Sequence, residues 1–229
     1  MINMRVDPLI FVLPAATICM VAQPVVAAPE DEVIDSTDVI ASFLSSKSNN
    51  RIPPEIIRQA EGIAIFPSVI SAGFIFGGTG GSGTLTMKDD QGRWGNPLIV
   101  SISAGSFGLQ AGAKSSDIIL VFMTKNSVRT VLREPFTLGG NVSVAAGPGG
   151  GNAVTPTDSP DSDIYSYTRS QGLFAGVALE GSKVAYKRED TEKLYQRENL
   201  SAERAFRDRT LPTSPEIKEL QQTLDNAQK

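Results

Sequence analysis

From residue 62 to residue 188 the chain is a succession of short β-rich runs punctuated by Gly, Pro, Asp and Asn. The runs are GIAIF, AGFIFG, GTLTMK, LIVSIS, DIILVFM, NVSVAA, DIYSYT, LFAGVALE and KVAYK. β-Branched and aromatic residues bounded by turn formers read as strands. A spacing of about ten residues per strand predicts an antiparallel sheet curling into a sandwich or barrel, and no strand–helix rhythm of a parallel sheet appears. Asp89-Asp90-Gln91-Gly92 reads as a hairpin turn. One helix interrupts, at Ser127 to Arg133, where Val128, Val131 and Leu132 share a face.

Helical patterns flank this region, so the fold class is α+β: a mostly antiparallel sandwich or barrel-like domain with N-terminal helices and a C-terminal helical extension. Within residues 30–61, Val39, Ile40, Phe43 and Leu44 recur at helical spacing, with Ser36 or Thr37 as N-cap. Ser45 to Asn50 breaks that helix. Pro54 suits the first position of another, with Gly62 to cap its end. Positions 183–229 are charge-dense, with 10 cations against 9 anions. Ser214-Pro215-Glu216 opens a helix there whose stripe is Ile217, Leu220 and Leu224. The predicted organisation is a signal peptide at 1–28, a domain at 29–195 with helices to about 61 and strands at 62–188, and a charged helical extension at 196–229.

The chain has no His, and Cys19 is its only Cys. No Ser-His-Asp triad, Cys-His dyad, zinc finger or imidazole base can be built from that inventory. A binding or structural role is therefore expected, with no catalysis, metal or cofactor. Lys and Arg number 21 against 25 Asp and Glu, a net charge of −4, which disfavours a nucleic-acid partner. Gly78-Thr79-Gly80-Gly81-Ser82-Gly83 matches G-x-G-x-x-G, but the dinucleotide site needs a helix next, and Thr84-Leu85-Thr86-Met87 reads as a strand. The glycines are expected to form a hairpin where two strands approach closely, and no nucleotide partner is expected. Asp158, Asp161 and Asp163 lack Ca²⁺-loop spacing, with Arg169 where the closing Glu would stand.

Pro8 to Ala28 is uncharged and ends Val25-Val26-Ala27-Ala28, small residues where signal peptidase cuts. Pro14, Gln23 and Pro24 interrupt it as a membrane span. Ile18 stands where a lipobox ending at Cys19 has a small residue. Export without a disulfide fits a bacterial periplasmic or secreted protein, peripheral to a membrane.

The order of motifs from Arg51 to about Tyr195 resembles the SYLF domain family. It comprises Ile52-Pro53 before a helix, Ala60-Glu61-Gly62-Ile63-Ala64-Ile65-Phe66-Pro67, the glycines at 77–83 and Trp94-Gly95-Asn96-Pro97. Gly108-Leu109-Gln110-Ala111-Gly112, Val144 to Pro148, Tyr165-Ser166-Tyr167 and Gly172 to Gly181 follow. Gly95 stands where the family usually has Ser, and its Asp-x-x-Asn ending appears as Asp190 to Gln196. The resemblance implies a lipid-binding module, in some eukaryotic members also actin-binding. With export, the expected partner is a lipid or membrane surface of the cell envelope, phospholipid or another anionic head group, and actin is not expected. The competing expectation is a structural envelope protein working through its charged C-terminal extension.

For lipid contact the sequence nominates Tyr165, Tyr167 and Arg169, which alternate on one strand, with Lys183 and Lys187 on one face of a later strand. Aromatic bodies with polar tips and nearby cations suit an anionic interface. N-terminal sequencing of the native protein is expected to begin at Ala28 or Pro29. A start at a lipid-bearing Cys19 would make the chain an anchored lipoprotein instead.

Overall fold

The computed structural model describes residues 28–46, 51–133, 135–140, 142–148, 162–171 and 179–229, with the backbone alone at 73–76, 106–112 and 171. The export segment to Ala27, part of the 45–50 break, residues 173–178 of the strand expected at 173–180, Gly149 to Gly151 and the acidic loop at Asp158 and Asp161 lie outside the described residues.

Helix α1 spans Pro29–Ser45 and α2 spans Pro54–Gln59. The sequence placed the start of α1 at Ser36 or Thr37, and the structure corrects this. Pro29 pre-sets the first turn, and Glu30, Asp31 and Glu32 complement the positive end of the helix dipole. Ser36 and Thr37 are buried within the helix, where the Thr37 hydroxyl donates back to the Val33 carbonyl at 2.9 Å. Ala60, not Gly62, ends α2. Gly62 begins the next strand, where a Cβ would lie 2.6 Å from Val128 Cγ2.

Two long strands replace the first five of the expected short ones. β1 runs Gly62–Met87 and β2 runs Leu98–Phe122, paired antiparallel from Gly62 opposite Phe122 to Leu85 opposite Leu98. The turn between them is the predicted one: the Gly92 N–H donates to the Asp89 carbonyl at 3.0 Å, and Gly92 has φ +74°. The hairpin expected at Gly77 to Gly83 does not exist. Those glycines run mid-strand, from Gly77 opposite Ser106 to Gly83 opposite Val100. What they supply is the absence of a Cβ. At Gly83 a Cβ would lie 1.9 Å from the Ile65 carbonyl oxygen, and at Gly81 2.9 Å from Val69 Cγ2. The last third of β1 thus lies against its own first third, and the Lys88 N–H closes the loop on the Glu61 carbonyl at 3.0 Å. Register shifts after Phe66 and Gly73 help the strand bend.

α3 (Lys125–Arg133) follows, then β3 (Phe136–Thr137), β4 (Val144–Ala146), β5 (Ile164–Gln171) and β6 (Lys183–Tyr186). β5 pairs antiparallel with Ser115–Phe122 of β2, and β6 with Val100–Ser103. β3 adds to β6. β4 runs parallel to β5, an exception to the antiparallel expectation. The six strands form one curled sheet, and the α+β reading stands. Residues 62–66 and 118–122 are buried without alternation, the mark of strands covered on both faces.

α4 (Arg188–Leu194), α5 (Ala202–Arg207) and α6 (Pro215–Ala227) complete the fold. The Ser214 hydroxyl accepts the Ile217 N–H, capping α6 as the sequence indicates. Ile217, Leu220 and Leu224 join the same core as the sheet, and α6 packs on α1 and α2. Among the described residues no helix is long and apolar enough to cross a membrane.

The two glycines named in the sequence separate here. Gly83→Val is expected to lower stability by about 3 kcal/mol or more, because backbone must move to admit a Cβ. Gly80→Val is expected to change it by less than about 0.5 kcal/mol, since a Cβ there meets nothing within 4 Å. Urea denaturation of both variants checks the contrast.

Candidate functional site

The five residues nominated from the sequence lie in different environments. Tyr167 is core: its ring fills the space beside Gly147, whose Cβ would lie 2.1 Å from Tyr167 Cζ. Its hydroxyl donates to the Pro148 carbonyl at 3.2 Å, and burial pushes the phenol pKa up. Tyr165 is half-buried and packs against the core. Arg169 Nη2 bonds Asp117 Oδ2 at 2.7 Å, with its guanidinium 4.9 Å from the centroid of Phe43. Asp117 Oδ1 also accepts the N–H of Ser68, which has φ +48° at the first bulge of β1. Arg169 is therefore a tie between β5, β2, β1 and α1.

Lys183 is exposed on β6. Lys187 lies past the end of that strand, a correction to the shared-face expectation. It precedes α4, pairs with Asp190, and reaches Ser82 Oγ at 3.4 Å. It lines a groove of about 510 Å³ with the carboxylates Glu32, Asp35 and Asp190. Burial raises the pKa of Glu32, Lys187 partly offsets this, and Asp35 and Asp190 raise it further. An anion entering this groove meets three carboxylates for one cation. Arg169 and Lys187 are thus committed to internal ion pairs, with Asp117 and Asp190.

A second cleft, of about 280 Å³, has the opposite character. Lys88, Lys125, Arg129, Arg207 and Arg209 line it, against Asp89 and Asp90. Its elements are the β1–β2 turn, α3 and the end of α5. Lys88 forms the floor, only 7% exposed. Its Nζ donates to the Ile57 and Arg58 carbonyls at 2.7 and 2.9 Å, closing the C-terminal end of α2, and sits 4.8 Å from the Trp94 ring centroid. Burial pulls the Lys88 pKa down, with Glu61 and Asp225 opposing. Lys125 pairs with the fully exposed Asp90 at 3.0 Å.

Asp89 organises the turn. It accepts the Gln91 and Arg93 N–H groups at 2.9 and 3.0 Å, both Arg93 Nε and Nη2, and Arg209 Nη2. Burial pushes its pKa up, but these bonds outweigh it and hold the carboxyl at about 2. Arg129 and Arg207 are exposed, and their side chains make no hydrogen bond or ion pair among the described residues.

The Trp94 turn brings the C-terminal cations to this place. Asn96 Nδ2 donates to the Ala205 and Asp208 carbonyls at 2.9 and 3.0 Å. The Gly95 carbonyl accepts Thr86 Oγ1 at 3.0 Å and Gln221 Nε2 at 2.9 Å, and Tyr195 donates to the Pro97 carbonyl at 2.8 Å. Sequence reasoning singled out Asp89–Gly92 and Trp94–Pro97 but did not connect them with Lys125, Arg129, Arg207 and Arg209. Only the turn itself carried a signal.

Fold and cleft together define an α+β domain that gathers a charged surface around a structural turn. The chain belongs to the Ysc84, or SYLF, family: the family model described as "Las17-binding protein actin regulator" matches residues 103–227. It is 34% identical over 210 residues to the SH3 domain-containing YSC84-like protein 1 of Xenopus laevis, covering 89% of this chain and 62% of that protein. It is 31% identical over 180 residues to LAS seventeen-binding protein 3 of Saccharomyces cerevisiae, covering 75% of this chain and 39% of that protein. Protein YSC84 of the same yeast is 32% identical over 180 residues, with coverage of 75% and 38%. The chain thus spans less than two thirds of the length of these relatives. Of these names, that of LAS seventeen-binding protein 3 records a binding protein. They give no support to the expectation that actin is not a partner.

The depressed Asp89 carboxyl has a pH consequence. Its contribution to stability is fully present above the ordinary carboxylate value of 3.8 and is lost as pH falls through about 2. Asp89 lies near the surface, so the loss is expected to be on the order of 1 kcal/mol. Urea midpoints measured from pH 5 to pH 2 should fall more steeply for wild type than for Asp89→Asn.

Proposed function

We propose that this chain is a non-catalytic binding module for anionic lipid head groups in a bacterial cell envelope. One observation carries the reading: five cations converge on a single cleft in a chain whose net charge is −4. Global charge repels an anionic surface, so attraction has to be local, and this cleft is where positive charge is concentrated. The uncharged segment from Pro8 to Ala28 supports an exported location. Family membership supports a binding role. The nominated residues Tyr167, Arg169 and Lys187 are spent on the fold, which leaves Lys183 as a peripheral contact and moves the main contact to the cleft.

A second reading, a protein partner of the actin-regulatory kind, is favoured by the family's description. The alternative of a scaffold acting through the C-terminal extension is weakened by α6, whose apolar stripe is already buried on the domain.

Co-sedimentation with vesicles and with filamentous actin separates these readings. The lipid reading expects pelleting with vesicles containing an anionic lipid, loss of pelleting at high salt, and none with purely zwitterionic vesicles. Each cation near the surface contributes about 1 kcal/mol, so Arg129→Gln with Arg207→Gln should weaken binding by about 30-fold. Pelleting with actin and with no vesicle would establish the second reading.

A further inference from the structure

We infer that the cleft beside the Trp94 turn is a site for a phosphate monoester, bound as its dianion and gripped by Arg129 and Arg207. This rests on the reading that the cleft takes anionic head groups, and it adds which chemistry is selected there.

The argument begins with what each charge already does. Asp89 is taken up by Arg93 and Arg209, and Asp90 by Lys125. Of the five cations lining the cleft, three have no carboxylate partner among the described residues: Lys88, Arg129 and Arg207. Lys88 is the most constrained of them. Its ammonium is buried and held by two neutral carbonyls and an aromatic ring, while Glu61 and Asp225 act on it through the field alone. A buried cation with only neutral contacts raises the potential of the cavity it floors. Burial penalises that charge, and an anion in the cleft would relieve the penalty.

Arg129 and Arg207 stand on different elements, α3 and α5, and both line the same 280 Å³ space. Each guanidinium presents a planar fork of N–H donors, a shape that matches two oxygens of a phosphate at once. Two forks and an ammonium ask for more than two terminal oxygens and more than one negative charge. A phosphodiester offers two terminal oxygens and a single charge. A monoester offers three, with a charge of about −1.5 to −2 at pH 7. The volume lies just below the usual range for small-molecule sites, about 300–1,000 Å³. It suits a head group whose remainder stays outside, rather than a whole lipid. The groove beside α1 is the larger space, but its three carboxylates turn an anion away.

The test uses the full chain and two pairs of probes. The first pair is phosphatidylcholine vesicles with phosphatidic acid, a monoester, or with an equal fraction of phosphatidylglycerol, a diester. The second pair is free glycerol 3-phosphate and dimethyl phosphate, followed by NMR shifts. Phosphatidic acid is expected to bind about tenfold more tightly than phosphatidylglycerol. Its binding should strengthen from pH 6 to pH 8 as the second ionisation completes. Arg129→Gln and Arg207→Gln should each erase the difference, while Lys218→Gln, at an exposed position of α6 outside the cleft lining, leaves it. Neither arginine side chain has a partner among the described residues, so unchanged melting temperatures are expected and separate a binding effect from misfolding.

Equal binding of the two lipids, still lost in the arginine variants, would overturn the monoester assignment while leaving the lipid reading in place. Preference for phosphatidic acid untouched by both arginine variants would overturn the site. Shifts with glycerol 3-phosphate but not dimethyl phosphate, without vesicle binding, would support the monoester site and overturn its lipid source. Silence with all four probes would overturn both.

Discussion

The close approach of Gly83 to the Ile65 carbonyl is the contact on which the rest of the molecule depends. A strand of 26 residues laid flat would be far longer than a domain of this size can cover. By returning onto itself, β1 turns a two-stranded ribbon into a curled sheet with an interior. Ile63, Ile65, Leu85 and Ile99 become buried as a result. The same return sets Lys88 against Glu61, next to the end of α2, and so places the turn that follows.

From that turn outward the structure is held by backbone carbonyls with side-chain donors rather than by apolar contact alone. Asn96, Gln221 and Tyr195 each satisfy main-chain groups across the junction between sheet and C-terminal helices. A buried carbonyl left without a donor costs about 1–3 kcal/mol. The junction is therefore specific as well as strong. Arg207 and Arg209 reach the cleft because residues 205 to 208 are fastened to Asn96. The lipid-facing chemistry proposed here is a by-product of how the helices are attached.

The parts legible in the sequence were those governed by local chemistry. Ser214-Pro215 opening α6, Gly92 closing its turn, and the Val128–Val131 face of α3 each follow from neighbours a few residues away. The strand lengths were not legible. A strand covered on both faces shows an unbroken apolar run and then glycines, and that pattern reads as strand, turn, strand. Glycine is also most readily taken as a residue for positive φ, whereas Gly81 and Gly83 are needed for the missing Cβ. Tyr167 and Arg169 alternate with Tyr165 as expected, but alternation does not say which face is the interior. The cleft was illegible for another reason. Its cations lie between positions 88 and 209, and only the folded turn brings them to one place.

The bonds from Asn96 to residues 205 and 208 join positions separated by 109 and 112 in the chain. Contacts of such separation form slowly, since the chain entropy of closing the loop must be overcome before they stabilise anything. The pairing of β1 with β2 involves none of the last 25 residues, but the cleft cannot exist until they arrive. Acquisition of the anion affinity proposed for the cleft would accordingly be a clock for the final step of refolding. It lags the burial of Trp94 if the helices dock last, and coincides with it if docking and sheet closure are one event.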